Sequence, residues 1–165
     1  MNNFEDRLRR VEDMLAIQQL IASYGPAADS CNTELLERIW AKDAIYDVGG
    51  LGLYVDHAGL RTAYDGEFHQ DIVAHGSSHA STMPYIVIDG DRASATHYGT
   101  LFTQRDGAFK LNRLIASRWI LRRTADGAWE VESRTNRLLD GGDQAKDLLK
   151  RVEEGPSSEP EIKHP

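Results

Sequence analysis

The sequence predicts an α+β fold: N-terminal helices close one face of a curled, mixed but mostly antiparallel sheet, and together they form a cone-shaped barrel. Three observations carry this expectation. Apolar residues at three- and four-residue steps are concentrated in the first part of the chain, before Phe68. From Ser78 onward the chain is rich in Ile, Val, Thr, Tyr and Trp. That second part is punctuated by Asp89-Gly90-Asp91, Asp106-Gly107 and Asp126-Gly127, which suit tight hairpins because glycine tolerates positive φ. Helices first and a run of hairpin-linked strands afterwards is an α+β arrangement. A chain of 165 residues is one domain by size, able to bury roughly two-thirds of its unfolded surface.

The first helix is read from Phe4, Leu8, Val11, Leu15, Ile17, Ile21 and Tyr24, and is expected to kink or end near Tyr24, because Gly25-Pro26 interrupts helical hydrogen bonding. Thr33 suits the N-cap of a second helix carrying Leu35, Leu36, Ile39 and Trp40. Short strands are expected over 44–48 and 51–55, and a third helix over 58–68. Segments 78–88, 93–104, 109–124 and 129–139 read as four strands of an antiparallel meander. A short helix follows from Gly141 to about Glu154, which closes a domain over 1–154. Residues 155–165, with three of the five prolines, read as a disordered tail.

Bulk charge narrows the function classes. The net charge of −7 argues against a nucleic-acid surface, which needs clustered Lys and Arg. No run approaches the roughly 20 apolar residues of a membrane-spanning helix, and the charged first ten residues do not read as a signal peptide. Cys31 is the single cysteine, which excludes an intrachain disulfide and suits a reducing cytoplasm. No Gly-rich phosphate loop appears in a strand–helix context, so no cofactor is expected. His69, His75, His79 and His97 lack the spacing of a ligand motif, with His69 and His75 in an expected loop, so no metal is expected either.

A sheet curled around helices leaves an open end whose inward polar groups need partners. Asp29 lies after the first helix, and by residue type alone it reads equally as a solvated turn aspartate. His79 opens the first long strand. Alternation groups it with Ser81, Met83, Tyr85 and Val87, but pattern does not settle which face looks inward. A carboxylate on one imidazole nitrogen would fix the tautomer and leave the other nitrogen to take a proton, near neutral pH for an ordinary imidazole. Arg134 reads either as a rim residue or as a fixed cation for developing negative charge, and Asn136 shares its face. Trp119 is a candidate aromatic contact.

The order of several motifs raises this reading. Ile17-Gln18-Gln19-Leu20 with Tyr24 and Asp29, then Leu36-Glu37-Arg38-Ile39-Trp40 and Asp43-Ala44, resembles the opening of SnoaL-like (NTF2-like, cystatin-like) proteins. Ser78-His79 before a strand resembles the position of their histidine, and Asp126-Gly127-Ala128-Trp129 before Arg134-Thr135-Asn136-Arg137 resembles their last hairpin and final strand. The resemblance spans about residues 5–145 and points to the branch of scytalone dehydratase, bile acid 7α-dehydratase and hexachlorocyclohexane dehydrochlorinase. It implies that His79 and Asp29 abstract a proton, and it places Arg134 where the dehydrochlorinase has an arginine, five residues after Trp129. The chain departs from that enzyme in lacking its first-helix lysine, and Tyr24 instead matches a tyrosine of the dehydratases that polarises an oxygen.

The expected function is therefore a cofactor-independent lyase that performs β-elimination on a small hydrophobic aromatic, alicyclic or steroid-like substrate. Its expected catalytic residues are His79, Asp29, Tyr24 and Arg134, with Tyr46, Trp119, Asn136 and His97 against the substrate. The pocket is expected to be lined by aromatic and aliphatic groups with few polar ones. The alternatives are a double-bond isomerase, a non-catalytic small-molecule binding protein, and the small subunit of a ring-hydroxylating dioxygenase. A homodimer or homotrimer is expected, because Ile115, Trp119 and Leu121 are read as lying on an outer sheet face that needs covering.

Overall fold

The structure, a computed structural model, describes residues 3–158. Helix α1 spans Phe4–Asp29, α2 Thr33–Ile39, α3 Asp56–Asp65, α4 Glu67–His75 and α5 Asp143–Lys150. The strands are β1 Trp40–Val48, β2 Gly52–Val55, β3 Ser77–Ser81, β4 Tyr85–Asp89, β5 Arg92–Arg105, β6 Ala108–Arg123 and β7 Trp129–Leu138. They form one sheet in the order β2-β1-β7-β6-β5-β3, with β4 also on β5. Every pairing is antiparallel except β1 with β7. No helix among the described residues is long and apolar enough to cross a membrane.

Several boundaries differ from expectation, each for a physical reason. Helix α1 does not stop at Tyr24 but runs through Pro26 to Asp29. The backbone donor that proline lacks is offset by packing, since Tyr24, Gly25, Ala27 and Ala28 are all buried there. The first half of α1 carries its apolar stripe outward: Phe4, Leu8, Val11 and Leu15 are exposed. It is tied down instead through the buried Asp13, which accepts from Arg123 at 2.8 Å and from the indole of Trp129 at 3.0 Å. The cap of α2 is Asn32, whose side chain accepts from the Leu35 amide, rather than Thr33. Residues expected to form a loop at His69 and His75 form α4.

The expected strand 78–88 is two strands. Pro84 has no amide to donate, so the ladder breaks between them. Ser81 pairs with Gly99 and Tyr85 with Thr96, so the three residues between them on one side face two on the other, and the register slips by one. That slip lets His79 and Ile86, of opposite parity, both turn toward the core side. The Asp106-Gly107 hairpin forms as expected, with φ of 54° and 76° at the two residues.

Ile115, Trp119 and Leu121 face inward and are buried, so they are not the outer face expected to need covering. The opposite face of β6 is covered by α5 and the segment after it. Ala116 packs with Ala145 and Leu148. Arg118 donates to the carbonyls of Arg151 and Glu154, both at 2.9 Å. Residues 156–158, expected to be disordered, form a 3-10 turn with Pro156 buried, and Gly155 before them is half-buried; residues 159–165 of the expected tail lie outside the described residues.

Candidate active site

Strand register assembles the site. In one cross-strand row Tyr46 on β1 faces Arg134 on β7, which faces Trp119 on β6. Two residues along, Asn136 faces Ser117, which faces His97 on β5. Because side chains alternate across a strand, both rows point to one side of the sheet. There they line a cavity of about 350 Å³ that α1, α3 and α4 help to enclose.

Asp29 reaches His79 because α1 crosses β3 in near contact. A Cβ on Gly25 would lie 2.2 Å from the His79 carbonyl oxygen, so only glycine permits this approach. One Asp29 oxygen accepts from His79 Nδ1 at 2.6 Å and from the Ser77 hydroxyl at 2.6 Å, and the other accepts from the His79 amide at 2.7 Å. Burial would raise the Asp29 pKa, but these donors outweigh it and hold the carboxyl below its ordinary value. A carboxylate can only accept, so His79 Nδ1 carries the hydrogen and Nε2 presents its lone pair. His79 lines the cavity, and no protein hydrogen bond occupies Nε2 among the described residues.

The opposite wall is a chain of donors. Asn136 Nδ2 donates to the Tyr46 hydroxyl oxygen at 3.1 Å. Tyr46 and Tyr24 hydroxyls lie 3.2 Å apart, and with Asn136 donating, Tyr46 can pass its own hydrogen to Tyr24. The Tyr24 hydrogen then remains for a bound molecule. Burial pushes the phenols of Tyr46 and Tyr64 well above the ordinary range, so both stay neutral donors.

Arg134 is 4% exposed, and its guanidinium carbon lies 4.2 Å from the ring centres of both Tyr24 and Trp119. Its Nε donates to the Ser117 hydroxyl at 3.1 Å, while NH1 is buried without an acceptor. His97 Nδ1 donates to the Tyr98 carbonyl at 2.9 Å, and Nε2 accepts the indole N–H of Trp119 at 2.7 Å. Burial, then the nearby Arg134 charge, lowers the His97 pKa to about 4. His97 is therefore a neutral brace behind Trp119 rather than a proton carrier.

All eight residues expected from sequence are thus brought together, seven lining the cavity and Asp29 behind His79. The cavity is more polar than expected. The site residues expected from sequence do not include Tyr64, His69, Arg113, Ser77 or Ser117. Parity would have found three of them: Ser77 alternates with His79, and Arg113 and Ser117 alternate with Trp119. Tyr64 sits one helical turn after the buried Leu60. His69 lay in the stretch read as loop; its Nδ1 is 2.9 Å from the Tyr64 carbonyl, and burial, then His79, lower its pKa.

Comparison with known proteins agrees with this architecture. Residues 9–135 match the SnoaL-like domain family. An NTF2-like protein with a cystatin-like fold from Novosphingobium aromaticivorans is 36% identical, with a TM-score of 0.85 over 90% of this chain and 98% of that one. Hexachlorocyclohexane dehydrochlorinase LinA-type3 from Novosphingobium barchaimii LL02 is 21% identical, with a TM-score of 0.66 over 81% and 90% of the two chains. A cystatin-like-fold protein of unknown function from Nostoc punctiforme PCC 73102 is 21% identical, with a TM-score of 0.66 over 76% and 90%. No curated protein matches.

Proposed function

The chain belongs to the SnoaL-like domain family, and from that premise we propose that it is a cofactor-independent lyase with His79 as its base. The observation that carries this reading is the triple hydrogen bonding of Asp29, which fixes His79 with Nδ1 protonated and Nε2 bare beside a cavity large enough for a one- or two-ring molecule. The dehydrochlorinase of the same fold supports proton abstraction as a reaction this scaffold can house.

In this reaction His79 Nε2 takes a proton from a carbon next to an activating group. The electron pair of that C–H bond forms the new double bond, and the leaving group departs with its bonding pair from the adjacent carbon. Tyr24 donates its hydrogen bond to the oxygen that gains charge, and Arg134 stabilises the same charge at short range in a water-poor wall. Asp29 stabilises the imidazolium that forms. Such positioned acid–base groups contribute about 10²–10⁴-fold each. The proposal extends to a cytoplasmic setting for the lone Cys31 and to a homodimer or homotrimer, with the apolar stripe of Phe4, Leu8, Val11 and Leu15 available for contact.

A general probe tests it without knowledge of the natural substrate. 5-Nitrobenzisoxazole loses its ring C–H proton to a base as its N–O bond breaks, releasing a coloured phenolate. The protein should accelerate this elimination over buffer, and His79→Ala should remove about 10²-fold or more of the acceleration. A protein that gives no acceleration, or a variant as fast as the parent, rules the reading out.

A further inference from the structure

The cavity holds two arginines that pair with no carboxylate among the described residues. The chain is acidic overall, with 26 Asp and Glu against 19 Lys and Arg, and most of its sheet arginines are paired with carboxylates. Arg92 pairs with Glu132, Arg122 with Asp43 and Glu130, Arg123 with Asp13 and Asp91, and Arg137 with Asp47. The two arginines that line the cavity break this pattern. Neither Arg134 nor Arg113 makes an ion pair among the described residues. Arg134 is enclosed by aromatic faces, with NH1 lacking any acceptor. Arg113 gives one hydrogen bond, to the Gly49 carbonyl at 2.6 Å, and burial lowers its pKa.

No carboxylate pairs with either arginine: Asp29, behind His79, accepts from Ser77 and His79 and not from Arg113 or Arg134 among the described residues. His97 and His69 are neutral bases, and burial keeps Tyr46 and Tyr64 protonated. Glu67 lines the rim, but it is exposed and reaches neither arginine. Aromatic faces stabilise a guanidinium through its π surfaces, but its edge N–H groups still require acceptors. A buried cation left without a counter-charge is costly, and a bound anion removes that cost.

We propose that the ligand of this cavity is an anion, a ring compound bearing a carboxylate that Arg113 and Arg134 hold while its carbon framework lies against Trp119 and the base. The inference rests on this cavity being the substrate site but not on elimination being its chemistry, so binding is the readout.

Titration calorimetry with 2-naphthoate and with 2-naphthamide, its neutral isostere, tests the inference on the intact chain. The carboxylate should bind about 10- to 100-fold more tightly than the amide, the range expected for hydrogen bonds to a charged group. Arg134→Met and Arg113→Met should each reduce that preference toward unity. Arg113 is only partly buried, so its variant keeps the test decisive should Arg134→Met fail to fold. Equal affinities, tighter binding of the amide, no binding of either, or a full preference surviving in Arg113→Met would each overturn the inference. A failed preference alongside His79-dependent elimination would sink only the anion, leaving the base in place.

Discussion

His97 sits 3% exposed between two fixed partners, a carbonyl that can only accept and an indole that can only donate. Protonating Nε2 would set its hydrogen against the Trp119 N–H, inside a wall already holding the Arg134 charge. With a native pKa of about 4 against an ordinary 6.5, the folded state resists a proton that the unfolded chain accepts. Its stabilising effect is therefore complete above pH 6.5 and is lost as pH falls toward 4. The shift corresponds to about 3 kcal/mol at most, and His69, also lowered, acts in the same direction. Urea midpoints measured at pH 7.5 and 4.5 should show this loss, and His97→Gln, which keeps an acceptor for the indole, should show a shallower one. Equal slopes for parent and variant would place the acid sensitivity elsewhere. Asp29 responds at lower pH, because its donors hold it ionised below the ordinary carboxylate range.

At the junction of α1 and β3, one helix delivers both Tyr24 and Asp29 because it does not stop at Pro26. Gly25 is what lets the helix lie on the strand. Gly25→Ala places a methyl 2.2 Å from a backbone oxygen that cannot swing away, so α1 and β3 must part. The expected cost is about 3 kcal/mol, at the upper end of overpacking effects, together with loss of the Asp29–His79 contact. Denaturant titration and the elimination assay check the two effects together, and a variant of parental stability and rate would show that the close approach is unimportant. This junction also marks where sequence reading falls short. Gly25-Pro26 is a sound local stop signal, but burial of the turn that follows overrides it. The single-residue register slip that reconciles His79 with Ile86 is a property of the pairing with β5 and cannot be read from β3 and β4 alone.

Across the whole molecule, the Asp-Gly hairpins and the β-rich half were plain in the sequence because turn chemistry and alternation are local. Inward and outward faces were less legible. Ile115, Trp119 and Leu121 on β6 were assigned outward because the cover over the other face of that strand comes from residues 143–158, far along the chain. The polarity of the cavity was missed for the same reason, since it emerges only when β1, β5, β6 and β7 are aligned in register. What unites these levels is the proposal that a carboxylate at the end of α1 and an imidazole on β3 act as one base. A double-mutant cycle on 5-nitrobenzisoxazole elimination, with Asp29→Asn, His79→Ala and the pair, addresses that unity most directly. Asp29→Asn should slow the parent by about 10²–10⁴-fold and should slow His79→Ala no further. The same factor in both backgrounds, or none in the parent, would mean that the two side chains touch without working together.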